Sequence, residues 1–435
     1  MRSPVTIHAL RTMVVAFLVV TALLPTGVHA QARDSIRLDE LERRVEALTS
    51  ELERTRLGAE VVEADSSVLG LGPAAAKVYR VAHGVSVGGY GEIVYENFAD
   101  QRGDGTPSGV ADRIDALRGV LYVGYKFNDR ILLNSEIEIE HVNEVFLEFA
   151  YLDYRFSDAL GVRAGLLLAP MGLVNELHEP PVFLGTTRPL TETQIIPSTW
   201  RENGVGVFGG SGPLAYRVYL MSSFDGVGGG PSGAGGFSAT GLRGGRQRGS
   251  RALSEDLGVV GRLDYVGVPG LLVGASVFRG ETAQNRKVNG AEVGGLTLIW
   301  DVHGDYKVAG LELRVLIAGA RVDDVVELNE LRALTGVNGI GEEMLGWYAQ
   351  AGYDVLSSTG SEHQILPYVR YERLNTQRAV PVSFAASPAT DRSVVSLGVA
   401  WKPVPQVVLK ADYDGHSNRA GTAVNQVNVA LGYLF

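Results

Sequence analysis

Residues 171–203 read MGLVNELHEPPVFLGTTRPLTETQIIPSTWREN and lie between two short alternating runs, 161–169 and 204–210. Pro180, Pro181, Pro189 and Pro197 bar both a long helix and a central strand from this stretch. It is nevertheless not a watery linker, because Val182, Phe183, Leu184, Ile195, Ile196 and Trp200 need something to pack against. A long, proline-stiffened, partly apolar loop between two strands suits a segment folded into the space that those strands enclose. The rest of the chain reads as the wall around it.

That wall has a period of two. Val85, Val87, Gly89, Gly91, Ile93 and Tyr95 alternate with Ser86, Gly88, Tyr90, Glu92 and Glu96. Ile131, Leu133, Ile137 and Ile139 alternate with Asn134, Glu136, Glu138 and Glu140, and the pattern recurs to the end of the chain. Sixteen such runs can be counted, from 84–98 to 423–435, including 291–302 and 306–319. Connections after even-numbered runs are mostly tight, such as Asn128-Asp129 and Ser157-Asp158; those after odd-numbered runs are mostly long, such as 99–112, 170–203 and 225–254. Short turns at one end, long loops at the other and an even strand count are the layout of a transmembrane barrel. Tyr125, Tyr151, Tyr265, Trp300, Trp347, Tyr371, Trp401 and Tyr433 near run ends suit an interfacial aromatic girdle. A soluble sandwich or propeller would alternate too, but would not sort its loops by parity.

Composition agrees. The 435 residues include 55 glycines, no cysteine and a formal charge of −10, which argues against general nucleic-acid binding. A mean hydropathy of +0.08 is too low for a bundle of membrane helices and ordinary for a barrel whose alternate residues meet lipid. Residues 1–30 read as a secretory signal peptide: Arg2 and Arg11, an apolar run over 13–24, then Val28-His29-Ala30. Residues 31–57 read as a coiled-coil segment, with Leu38, Leu41, Val45, Leu48, Leu52 and Thr55 spaced 3-4-3-4-3. Under three heptads is marginal alone in water. Residues 58–83 read as a linker and 84–435 as the barrel, with 171–203 its constricting loop. In the last run Val427, Val429, Leu431, Tyr433 and Phe435 share a face, and Tyr433 with Phe435 resembles the assembly signal read by the barrel-assembly machinery. The expectation is an all-β, 16-stranded antiparallel transmembrane β-barrel of the bacterial outer membrane, with a short N-terminal periplasmic coiled-coil helix.

Three stretches carry a family resemblance: 161–165, Gly-Val-Arg-Ala-Gly; 169–173, Ala-Pro-Met-Gly-Leu, followed by Glu176; and the exit 201–207, Arg-Glu-Asn-Gly-Val-Gly-Val. They look like the phosphate-selective porins O and P, in which a strand ends in a Pro-x-Gly-Leu turn before an inserted loop. The resemblance covers 84–435 in layout and is motif-specific near 160–210. It implies a homotrimer with three pores and passive diffusion of small hydrophilic solutes or ions, anions such as phosphate among them. Six lysines and an excess of acids depart from the family's lysine- and arginine-rich lumen, so no phosphate-binding residue carries over.

Selectivity in a pore comes from side-chain charge at close quarters. If Ile137 and Ile139 face lipid, then Glu136, Glu138 and Glu140, with Glu144 and Glu148 on the next run, face the lumen. Arg188 and Arg201 in the inserted loop are set against this row, giving a transverse field. Arg243, Arg246, Arg248 and Arg251 form a basic cluster in the Gly-rich loop 225–254, placed to meet solute or anionic lipopolysaccharide. No Gly-x-Ser-x-Gly elbow or Walker loop occurs, so no enzyme and no cofactor is expected. Glu176, His178 and Glu179 sit at i, i+2 and i+3 in a loop, a poor spacing for a metal, and none is expected there. A second function class shares the fold: a structural envelope protein, anchored by the barrel and tethered through the coiled coil.

Overall fold

The computed structural model describes residues 40, 41, 43–46 and 67–435. The chain divides into two units, 1–59 and 60–435. In the first, the described residues are helical, and Arg44 pairs with Glu40 one turn away at 3.2 Å. The remainder of the coiled-coil reading, and the signal peptide, lie outside the described residues.

In the second unit sixteen strands close into one antiparallel barrel. They are β1 (Gly84–Phe98), β2 (Arg113–Lys126), β3 (Ile131–Glu140), β4 (Glu144–Ser157), β5 (Leu160–Leu168), β6 (Arg201–Ser211), β7 (Leu214–Ser222), β8 (Leu257–Val268) and β9 (Leu271–Gly280). A small hairpin of β10 (Lys287–Val288) and β11 (Ala291–Glu292) stands apart in a loop. The wall resumes with β12 (Thr297–Val308), β13 (Leu311–Val322), β14 (Glu343–Tyr353), β15 (Gln364–Ala379), β16 (Asp391–Val404), β17 (Val407–Asn418) and β18 (Gln426–Leu434). The seam is β1 against β18, with Tyr90 opposite Leu434 and Phe98 opposite Gln426. Closure leaves no edge strand, so every wall amide has a neighbour in a medium without water.

Alternation sets which side chains meet lipid. Ile93 is 41 % exposed on the outside while its neighbour Glu92 is 4 % exposed on the inside. Ile137, Ile139, Val315, Ile317, Leu409 and Leu431 also face out. Trp300, Trp347, Trp401, Tyr125, Tyr265, Tyr371 and Tyr433 are likewise on the outer face. Tyr151 is not: it is buried in the lumen. The cause is a bulge in β4, where Glu136 pairs with Phe149 but Ile137 pairs with Leu147, leaving Glu148 as the extra residue. Glu148 and Phe149 therefore both turn inward, and the parity of the strand is inverted from there on.

Two boundaries differ from the sequence reading. The run expected at 291–302 is the strand Thr297–Val308, and 306–319 is Leu311–Val322. Residues 281–296 instead make a loop holding the β10–β11 hairpin, and the true turn is at Ala309-Gly310, both residues with positive φ. The second difference is larger. From Ser67 on, the stretch read as a linker is packed structure, with Leu71, Ala74, Ala75, Ala76 and Val78 buried around a 3-10 turn, Ala75–Tyr79.

Candidate functional site

Three inserted segments enter the lumen, anchored by polar side chains on the inner faces of the strands and by one another. The first is the 169–200 loop between β5 and β6. Its neck is closed by Asn175, whose amide donates to the carbonyls of Ala169 (2.7 Å) and Trp200 (3.0 Å) while its oxygen accepts from the Trp200 N–H at 2.6 Å. From there the loop crosses to the opposite wall. The Gly172 N–H donates to Asp301 on β12 at 3.1 Å. The Lys410 ammonium on β17 donates to the Gly185 carbonyl at 2.8 Å and lies 3.9 Å above the Phe183 ring. Asp412 accepts from the Thr186 N–H (2.6 Å) and hydroxyl (2.8 Å), and Glu372 on β15 accepts from the Leu190 (2.8 Å) and Thr191 (2.5 Å) N–H groups. Glu192 folds back to accept from the Leu173 and Val174 N–H groups, both at 2.7 Å, and from the Tyr348 hydroxyl of β14 at 2.5 Å. A proline-rich segment cannot form a ladder, so carboxylates on the wall take the N–H groups that a ladder would have used.

The second segment is the 223–256 loop between β7 and β8, which lies on the first. The Leu242 N–H donates to the Gln194 carbonyl at 2.9 Å, and Arg246 donates to the Thr199 carbonyl at 2.8 Å. A Cβ on Gly241 (φ +121°) would come 2.3 Å from the Gln194 oxygen, so this crossing requires glycine. Trp200 stacks on Phe224 with ring centroids 4.4 Å apart, and Phe278 of β9 closes on both. The third segment is 67–81. Glu179 accepts from the Ala74 and Ala75 N–H groups (3.1 and 3.0 Å), and Asn134 donates to the Ala75 carbonyl at 2.9 Å. Arg163 grips Asp153 through two nitrogens at 2.8 and 2.9 Å, donates to the Tyr79 hydroxyl at 2.6 Å and lies 4.0 Å over the Tyr151 ring. At the short-turn end a cavity of about 770 Å³ remains, bounded by Leu173, Glu176 and Val182 of the loop and by Arg262, Asp305 and Lys307 of the wall.

The candidate charges fall into place unevenly. Glu136, Glu138 and Glu148 are brought together and are all buried. Glu140 stays at the rim, 3.7 Å from Arg118, which also reaches Glu138 and Glu92, each at 3.4 Å. Glu144 is exposed and does not join the group. Arg201 does not face the carboxylates across a gap; it pairs directly with Glu148 at 2.6 Å, because both belong to neighbouring parts of one wall. Arg188 is half-buried, has a guanidinium nitrogen without a hydrogen-bond partner among the described residues and acts electrostatically on Glu136 and Tyr90.

The basic cluster of the second loop splits. Arg246 is buried in the loop-to-loop seam and Arg243 is half-buried with one guanidinium nitrogen unpartnered among the described residues, while Arg248 and Arg251 are exposed. Burial, then the charges of Arg188 and Arg248, bring the Arg243 guanidinium down to about 10. Burial beside Arg243, Arg248 and Arg201 also holds Arg246 well below the usual range.

Sequence reasoning missed several residues that organise the lumen: Glu372, Asp412, Glu192, Asn175 and the Arg163–Asp153–Tyr79 group. A single inward-facing acid on a strand looks like any other polar position of the alternation. Only the partner, 181 residues away for Thr191 and Glu372, shows its role.

A protein of Aquifex aeolicus (strain VF5), itself uncharacterized, is 38% identical over 374 residues, 83% of this chain and 82% of that protein. The chain belongs to that protein's family. No protein-family model matches the sequence. Among solved structures, Salmonella typhi OmpF, in a complex with daunomycin, superposes with a TM-score of 0.53 at 12% identity over 81% of this chain and 98% of its own. The anion-selective porin from Comamonas acidovorans gives 0.48 at 11% identity over 81% and 99%. At that identity the OmpF likeness shows the fold, which is that of the outer-membrane porins.

Proposed function

We propose that the protein is an outer-membrane channel for the passive diffusion of small hydrophilic solutes or ions. One observation carries the reading: a loop from one side of the barrel crosses the lumen and is tied to the far wall by Glu372, Asp412 and Asp301. Such a strut narrows the passage rather than closing the barrel from outside. It carries Arg188, and the 223–256 loop lying on it carries Arg243, into the field of the Glu136–Glu148 group, each with a guanidinium nitrogen that has no partner among the described residues. Opposed charges in a low-dielectric passage align polar solutes. Anions, phosphate among them, would meet Arg188 and Arg243 first. Three copies would assemble through their outer walls, with the 31–57 segment in the periplasm. Arg248 and Arg251 are exposed for anionic lipopolysaccharide, and Phe435 serves the assembly machinery.

The test is single-channel conductance of the refolded protein, with the reversal potential in a salt gradient. Steady conductance that is altered by Arg188→Ala supports the channel. A folded protein that does not conduct supports the second reading, a barrel that anchors an envelope tether. That reading is favoured by the firm docking of 67–81 through Tyr79, Arg163 and Asp153.

A further inference from the structure

We propose that Glu136, Glu148 and His178 form a divalent-cation site that fastens the 169–200 loop to the β3–β4 wall. One ligand atom from each of the three lies within 4.8 Å of the others. That span suits oxygen and nitrogen ligands each about 2.0–2.6 Å from a shared ion. All three side chains are at most 2 % exposed, so water does not compensate the carboxylates. Glu136 Oε2 and Glu148 Oε2 have no hydrogen-bond partner among the described residues.

Two observations outside the carboxylates point to a ligand. The Tyr90 hydroxyl is buried without a hydrogen-bond partner among the described residues, and its ring meets the His178 ring edge-on at 6.0 Å. It is a further buried oxygen in the electrostatic field of Glu136. Next, His178 Nδ1 lies 3.1 Å from the Asn175 carbonyl, which can only accept, so Nδ1 carries a proton. In the neutral ring this leaves a lone pair on Nε2, 3.2 Å from Glu136 Oε1. Two electron pairs then face each other unless a cation, or a shared proton, lies between them. An Nδ1–H held by a backbone carbonyl is the outer-shell contact that orients a metal-binding histidine.

Imidazole with two carboxylates favours a first-row metal such as Mn²⁺ or Zn²⁺ over Ca²⁺, which takes oxygen ligands. Two ligands come from the wall and one from the loop, so the ion would brace the strut at its origin. The inference stands whether or not the lumen conducts.

The experiment uses the full-length protein in detergent, stripped with chelator and titrated with Mn²⁺ by electron paramagnetic resonance and with Zn²⁺ by calorimetry. One ion per chain is expected, with a Ca²⁺ response weaker than either. Glu148→Gln and His178→Gln should each weaken binding by more than about ten-fold, while Glu144→Gln, outside the group, should not. Added Mn²⁺ should raise the melting temperature of wild type and leave His178→Gln unmoved. Absence of stoichiometric, saturable binding to wild type overturns the proposal, a result that needs no variant to fold. Equal affinity in both variants, with migration on gels showing intact barrels, would assign the ion to surface carboxylates and overturn it too. A melting temperature that responds to pH but not to metal would make the cluster an imidazolium–carboxylate pair.

Discussion

Replacing Glu372 with alanine should release the tip of the 169–200 strut without opening the wall. The carboxylate accepts two backbone N–H bonds, at 2.8 Å from Leu190 and 2.5 Å from Thr191. Hydrogen bonds to a charged group contribute about 1.5–3 kcal/mol each, so the loss amounts to about 3–6 kcal/mol of tip attachment. At about 1.4 kcal/mol per factor of ten, the detached fraction should rise by at least about 100-fold. Glu372 lies mid-strand, paired across to Tyr348 and Val394, and those ladder bonds are made by backbone, so the barrel itself should persist. The chain has no cysteine, which makes Thr193→Cys a clean reporter at the tip. Labelling of that thiol by a charged, membrane-impermeant reagent should quicken in the Glu372→Ala background. In planar bilayers the mean conductance should rise and the current become noisier, while Glu372→Gln, which keeps an acceptor, should fall between. If labelling and current are both unchanged in a protein that still migrates as a folded barrel, Glu372 does not hold the strut. The constriction reading would then lose its main support.

Other expectations are independent of that one. Arg201→Ala removes the guanidinium 2.6 Å from Glu148, and the reversal potential should move toward cations; Arg188→Ala should move it the same way, and no movement in either would refute a charged constriction. Arg163→Ala leaves Asp153 buried and unpaired, a loss of about 3–5 kcal/mol, to be read as a lower denaturant midpoint with faster proteolysis ahead of residue 84. Gly241→Ala forces a side chain against the Gln194 carbonyl in a left-handed backbone conformation, at about 1–3 kcal/mol for the strain alone. Hydrogen exchange at Leu242 should accelerate and that at Val260 on β8 should not. Removing Phe435 takes away its paired N–H and carbonyl bonds to Gly89, both 2.9 Å, and should lower the yield of assembled barrel without altering the conductance of what does assemble.

The period of two, sorted by loop length, was sufficient to specify a closed sixteen-strand wall, because each strand meets lipid on one side and polar lumen on the other. One residue of slip would put charge into hydrocarbon, so alternation is enforced locally and is visible locally. The inward fate of 171–203 was legible for a related reason: Phe183, Ile195 and Trp200 beside four prolines fit neither water nor a ladder, and they are buried as that composition requires. Three things were decided only in three dimensions. The β4 bulge turned Glu148 and Phe149 to the same side, since a single extra residue is invisible to a periodic reading. The 67–81 stretch, small and aperiodic in sequence, became core because a lumen this wide needs filling and Glu179 and Asn134 could satisfy its backbone. The partners of the lumenal charges depended on barrel closure: it set Arg201 beside Glu148, 53 positions away, and His178 beside Glu136, 42 positions away, contacts for which alternation supplies a face but no address.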